Sequence, residues 1–128
     1  MKRTITLILI IMIASLCRAA SPSLECAKIF DRKDIRTEGR DLVKISQPNN
    51  YFMSVTAKND KKLEKIVRKA FEQDKKRTNQ IYEGYDGTNG WDYSILNINY
   101  NGAIVNIGFY WNGKGYVNLF MQSSRPFK

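Results

Sequence analysis

The segment that most restricts how this chain can fold is its last third. Three runs rich in aromatic and β-branched residues, Trp91 to Asn99, Ala103 to Trp111 and Tyr116 to Gln122, are separated by Asn101-Gly102 and by Asn112-Gly113-Lys114-Gly115. Asn-Gly steps accept the positive φ angles that a two-residue hairpin turn demands, so strands joined this way fold back on one another antiparallel. The two hairpin units echo each other, Tyr100-Asn101-Gly102 against Trp111-Asn112-Gly113 and Val105-Asn106 against Val117-Asn118. A tight three-stranded meander accounts for that echo, whereas a solenoid would need longer units and more copies.

A sheet of this kind has a face to bury, and a helix is available to cover it. From about Asp60 to Arg77, Leu63, Ile66, Val67, Ala70 and Phe71 recur at i, i+3, i+4, i+7 and i+8. Asn59 or Asp60 can cap this helix, and Lys75-Lys76-Arg77 place cations where the helix dipole favours them. Upstream, Tyr51 to Ala57 alternates as a strand does, with Tyr51, Met53, Val55 and Ala57 on one side and Phe52, Ser54 and Thr56 on the other. Leu42 to Ser46 reads as a short strand joined to it by the turn Gln47-Pro48-Asn49-Asn50. Leu24 to Arg32 reads as a short helix with Ser23 as its N-cap and with Cys26, Ile29 and Phe30 on one face. The Asp34 to Asp41 stretch around Gly39, and Tyr82 to Gly90 with its three glycines, read as loops. The expected fold is α+β: an antiparallel sheet of four to five strands, ending in the C-terminal three-stranded meander, packed on one long amphipathic helix with a short N-terminal helix beside it.

The N-terminus reads as an address. Lys2 and Arg3 precede an apolar run from Ile5 to Leu16, and Cys17-Arg18-Ala19-Ala20 follows. Twelve helical residues reach about 18 Å, short of a hydrocarbon core of about 30 Å, so the layout is that of a secretory signal rather than of a spanning anchor. Cleavage after Ala19 puts small residues at the two positions that matter. The expected organisation is a leader over residues 1–19 and one domain over 20–128, secreted or periplasmic, with no transmembrane span after processing. The alternative is a lipoprotein acylated at Cys17, against which Leu16 just before the cysteine argues. Processing leaves 109 residues with 18 basic and 12 acidic side chains, hence a charge of +6 against +9 for the whole chain. A domain of that length buries about 65% of its unfolded surface and needs no staple.

Composition removes whole classes of chemistry. There is no histidine, which excludes Ser-His-Asp and Cys-His sites, His-containing zinc sites and an imidazole pH switch. Two cysteines cannot form a thiolate cage, so no metal site and no cofactor are expected. Cys26, the sole thiol after cleavage, is open to a nucleophilic reading or to intermolecular pairing. Its place beside Ile29 and Phe30 favours a buried apolar role. Glu83 and Asp86, near Tyr82, Tyr85, Trp91 and Asp92, are the residues a hydrolase of the two-carboxylate type would use, although acids beside glycines first suggest turns. Their spacing does not fit a calcium loop.

Two surfaces are candidates for binding. On the meander, alternation sets Tyr110 opposite Phe109 and Trp111, so some of the rings Tyr93, Tyr100, Phe109, Tyr110, Trp111, Tyr116 and Phe120 must face water. Asn97, Asn99, Asn106 and Asn118 add uncharged hydrogen-bonding groups. Tyr82, Tyr85, Trp91, Tyr110, Asn106 and Asn118 are therefore the expected binding residues, on the sheet face and the 82–91 loop. The helix offers Lys61, Lys65, Arg68, Lys69, Lys75 and Lys76 as a stripe for a polyanion or an anionic membrane. Glu64 with Arg68, and Glu72 with Lys76, make the i, i+4 pairs of a solvated face instead.

The leader, the length and the single domain resemble the small secreted proteins of unknown function of Bacteroides-type bacteria. The helix followed by a three-stranded meander, Asp60 to Gln122, is similar in topology to PepSY-like and β-lactamase-inhibitor-like modules. Topology implies no site residues. The resulting expectation is a secreted, non-enzymatic binding module whose partner is a protein or a glycan, with nucleic acid not expected. The basic helix is the alternative site, and a hydrolase using Glu83 and Asp86 a further alternative.

Overall fold

A computed structural model describes residues 22–127; the expected leader, residues 1–19 with Cys17, lies outside them. The elements in chain order are α1 (Glu25–Ile29), β1 (Asp41–Gln47), β2 (Asn50–Ala57), α2 (Lys61–Lys75), β3 (Ile81–Asp86), β4 (Trp91–Tyr100), β5 (Ala103–Trp111) and β6 (Val117–Ser123). All strands join one antiparallel sheet in the order β1-β2-β6-β5-β4-β3. The fold is α+β, as expected, but the sheet has six strands rather than four or five.

The added strand is β3, which occupies most of the segment expected to be loop. Its glycines misled for a physical reason. Gly84 stands in the strand interior opposite Tyr93, and the Tyr93 ring lies across it so closely that any Cβ would overlap the ring. The turn proper is confined to Gly87 to Gly90. There Asp86 organises the chain: its carboxylate accepts from the amides of Thr88 (3.0 Å) and Asn89 (3.3 Å), the Asn89 side chain (2.7 Å) and the Trp91 indole (3.1 Å). The β4–β5 hairpin uses Asn101 (φ 51°) and Gly102 (φ 83°), both in the left-handed region, as an Asn-Gly hairpin turn requires.

Both helices lie on one face of the sheet. The stripe Leu63, Val67 and Phe71 of α2 is fully buried with Val55, Leu96, Val105, Ile107, Phe109, Leu119 and Met121 beneath it, and Phe71 meets Phe109 at 5.5 Å. Burying side chains of this size stabilises by roughly 1.5–3 kcal/mol each. Phe127, near the end of the described chain, is also buried in this core. It lines a depression with Ala27 of α1 and with Tyr51 and Met53 of β2.

The short first helix is held in an unexpected way. Ser23 does not cap it: the N-cap is Leu24, which offers no side-chain acceptor. The acceptor comes from α2, where the fully buried Asp74 takes the Glu25 amide (2.9 Å) on one oxygen and the Cys26 amide (2.8 Å) on the other. Arg77 lies 3.8 Å from the same carboxylate and donates to the carbonyls of Pro22 and Ser23. Asp60 does similar work at the start of α2. It accepts from the Leu63 amide (2.9 Å), and Arg40 donates to both of its oxygens (2.7 and 3.3 Å). The Asp60 amide in turn donates to the Gly115 carbonyl at 2.9 Å, tying the helix to the β5–β6 loop.

Candidate functional site on the helix-free face

Strand alternation and register sort the expected site residues between the two faces. Positions paired across the sheet share a face, so Tyr93, Tyr110, Asn118 and Thr56 form one row, Tyr82, Ile95, Gly108, Phe120 and Ser54 the next, and Asn97, Asn106, Gln122 and Phe52 a third. Each row lies on the side away from the helices. Trp91 belongs there too, stacked on Tyr116 with centroids 4.3 Å apart. Of the six expected binding residues, Tyr82, Trp91, Tyr110, Asn106 and Asn118 are brought together on this face. Tyr85 is not: it pairs with Asp92, which pairs with Trp111, and all three point to the helix side. Nor is there an 82–91 loop to join them, since β3 and its turn occupy that segment.

The rings form a pavement. Tyr93 to Tyr110, Tyr110 to Phe120 and Phe120 to Phe52 are successive neighbours at 5.6, 6.3 and 6.2 Å, with interplanar angles of 28°, 35° and 19°. Two of these rings lie flat because the strand beside each carries a glycine: Tyr93 over Gly84 and Phe120 over Gly108, where an added Cβ would collide with the ring. A ring resting on backbone through one face turns its other face outward. Phe120 is one of the meander rings that the sequence groups together, but Phe52 is not; the β2–β6 pairing, which joins segments far apart in the chain, brings it into the set.

The face is free of charge at its centre. The outward positions of β2, β4, β5 and β6 are Asn, Gln, Ser, Thr, Gly, Ile and aromatic residues, without one Lys, Arg, Asp or Glu, in a chain of formal charge +9. Four of the five exposed large hydrophobics among the described residues, Val43, Ile45, Tyr82 and Ile104, lie on or beside it. Asn118 donates to Thr56 Oγ1 at 2.6 Å. The side-chain amides of Asn97, Asn106 and Gln122 have no partner among the described residues. Asn106 and Gln122, with Asn49 and Ile104, line a depression of about 470 Å³ at the end of the pavement.

The other candidates are dispersed. Glu83 faces the helices and pairs with Lys75 at 2.8 Å, whereas Asp86 faces the opposite side in its turn, so the two carboxylates expected of a hydrolase do not converge. Arg68, Lys75, Glu83 and Ser94 line a cleft of about 220 Å³ on the helix side, where the Lys75–Glu83 pair neutralises itself. The cationic stripe is also divided. Lys61, Lys65, Lys69 and Lys76 stay exposed, Lys75 is drawn to Glu83, and Arg68 lies over Phe109 (5.2 Å) and Trp111 (5.0 Å). Lys65 and Lys69 join Lys28 and Arg32 along a groove of about 430 Å³ between the helices, with Ile29, Ile66 and Ala70 in it. Cys26 is fully buried, and burial first, then the Asp74 charge, raises its thiol well above the ordinary range. A thiol held in that state is a poor nucleophile at neutral pH. Among the described residues no cluster of metal-ligating side chains occurs, and no helix is long and apolar enough to cross a membrane.

Comparison with known proteins is silent: no protein-family model matches the chain, and no curated protein or solved structure matches it significantly.

Proposed function

We propose that the protein is a secreted, non-enzymatic binding module and that the helix-free face of its sheet is the surface that engages a protein or glycan partner. The observation that carries this reading is the pavement of Tyr93, Tyr110, Phe120 and Phe52, which no other element among the described residues covers while both helices pack on the opposite side. A folded monomer gains nothing from leaving half-buried rings and exposed Val43, Ile45, Tyr82 and Ile104 on one surface, and contiguous apolar surface of this kind marks sites of interaction. Rigid strands hold the rings in place before the partner arrives, which reduces the entropy lost on binding.

The test is capture from a cell-envelope extract by immobilised wild-type protein, by Tyr110→Ala and by Lys65→Ala. The reading requires that Tyr110→Ala, shown to be folded by circular dichroism, lose the captured partner while Lys65→Ala keeps it. Equal capture by Tyr110→Ala would refute it.

A second reading has its own observation in the groove between α1 and α2, where Lys65 and Lys69 have no ion pair among the described residues. Polyanion or anionic-membrane binding there predicts affinity that falls steeply with salt and is lost in Lys65→Ala.

A further inference from the structure

Resting on the sheet-face reading, we infer that the ligand of the pavement is an uncharged oligosaccharide, stacked on Tyr110 and Phe120 and hydrogen-bonded by Asn106 and Gln122. Three features of the face select this class over others.

The first is charge. A protein with 21 basic and 12 acidic residues keeps every one of them off the outward positions of the four central strands. A polyuronate or a sulfated chain would gain no counter-charge there, whereas a neutral chain requires none.

The second is ring orientation. Gly84 and Gly108 let Tyr93 and Phe120 lie down, so ring faces point outward rather than ring edges. The outward face of an aromatic ring is electron-rich and attracts weakly positive hydrogens. The axial C–H groups on the flat side of a pyranose present such hydrogens across a surface of matching size.

The third is the hydrogen-bonding set. Moving along β5 from Tyr110 past Gly108 leads to Asn106, and along β6 from Phe120 to Gln122, on the same face. Tyr110 and Asn106 are about 14 Å apart at about 3.4 Å per residue, the span of a short oligosaccharide rather than of one sugar ring. Each amide offers both donors and an acceptor, which suits hydroxyl groups that both give and accept hydrogen bonds. These amides are unpaired among the described residues and border the 470 Å³ depression, a volume in the range of small-ligand sites.

The experiment is calorimetric titration of the protein with neutral gluco-, xylo- and manno-hexaoses, and with a polyuronate and heparin as charged controls. The inference predicts binding of at least one neutral hexaose with an affinity that changes less than about twofold between about 0.05 and 0.5 M NaCl. Tyr110→Ala and Phe120→Ala weaken it about tenfold or more, and Asn106→Ala, a surface change that leaves the fold intact, weakens it about fivefold. Lys65→Ala leaves it unchanged. Binding of the charged polymers alone, with steep salt dependence, overturns the inference. If no neutral glycan binds but Tyr110→Ala still abolishes capture of an envelope protein, the glycan assignment fails and the sheet-face reading stands. If Tyr110→Ala affects neither, both fail.

Discussion

Asp74 offers the sharpest test of how the two helices are held together. It is a charged side chain with no exposed surface, inside α2, and its two oxygens accept the first amides of α1 at 2.9 and 2.8 Å. In Asp74→Ala the Cys26 amide stays buried with no partner, a cost of about 2 kcal/mol, while the half-buried Glu25 amide recovers some hydration and costs about 1 kcal/mol. Arg77 also loses the carboxylate 3.8 Å away, but it keeps the Pro22 and Ser23 carbonyls and regains water. The expected loss is about 3 kcal/mol, a drop in Tm of about 10–20 °C for a domain of this size. Asp74→Asn loses about half as much, because its amide keeps one acceptor but turns a donor toward the other N–H. Urea and thermal denaturation followed by circular dichroism measure both. Two local readouts separate this from general weakening: hydrogen exchange at Glu25 and Cys26 accelerates more than in the sheet, and the Cys26 thiol, fully buried in the wild type, reacts faster with disulfide reagents as α1 detaches. A loss below about 1 kcal/mol in Asp74→Ala would refute the capping account.

Other outcomes follow from the same contacts. Phe71→Ala empties the center of the helix–sheet interface against Phe109 and costs about 3–5 kcal/mol in denaturant titrations. Gly108→Ala drives a methyl into the Phe120 ring, costing about 1–3 kcal/mol and lifting that ring from the pavement, so ligand affinity falls with stability. The Asp60 carboxyl is held below its usual range, chiefly by the Arg40 hydrogen bond. A depressed carboxylate contributes stability that is complete above the unfolded value of about 3.9 and is lost as pH falls through the lower folded value. Asp60→Asn, which keeps an acceptor for the Leu63 amide, is therefore less stable than wild type at neutral pH, and the gap narrows once the pH drops below about 4.

The sequence was most readable where short-range signals act alone. The β4–β5 turn follows from the chemistry of Asn101-Gly102, α2 from its apolar spacing, and the two sides of β2 from alternation, and each lies within a residue or two of expectation. It was least readable where a residue's role is set by a distant partner. Gly84 looks like a turn residue until Tyr93 is known to lie on it. Asp74 looks like one more acid among the cations of a solvated helix, and its task becomes visible only when Glu25 and Cys26, almost fifty positions earlier, are placed beside it. The same holds for the candidate site. Tyr110, Asn106 and Asn118 were expected because they sit on the meander, but Phe52 and Phe120 meet only through the β2–β6 pairing. Tyr85 was misplaced because reading Tyr82 to Gly90 as loop removed the alternation that sends Tyr82 and Tyr85 to opposite faces.

The proposed function requires that ligand be received on the helix-free face. Nuclear magnetic resonance mapping of the protein during titration with the best-binding neutral hexaose tests it directly. Perturbed signals are expected to gather on the rings of Tyr93, Tyr110, Phe120 and Phe52 and on the side-chain amides of Asn106 and Gln122. Perturbations gathered instead around Lys28, Lys65 and Lys69, in the groove between the helices, would contradict it.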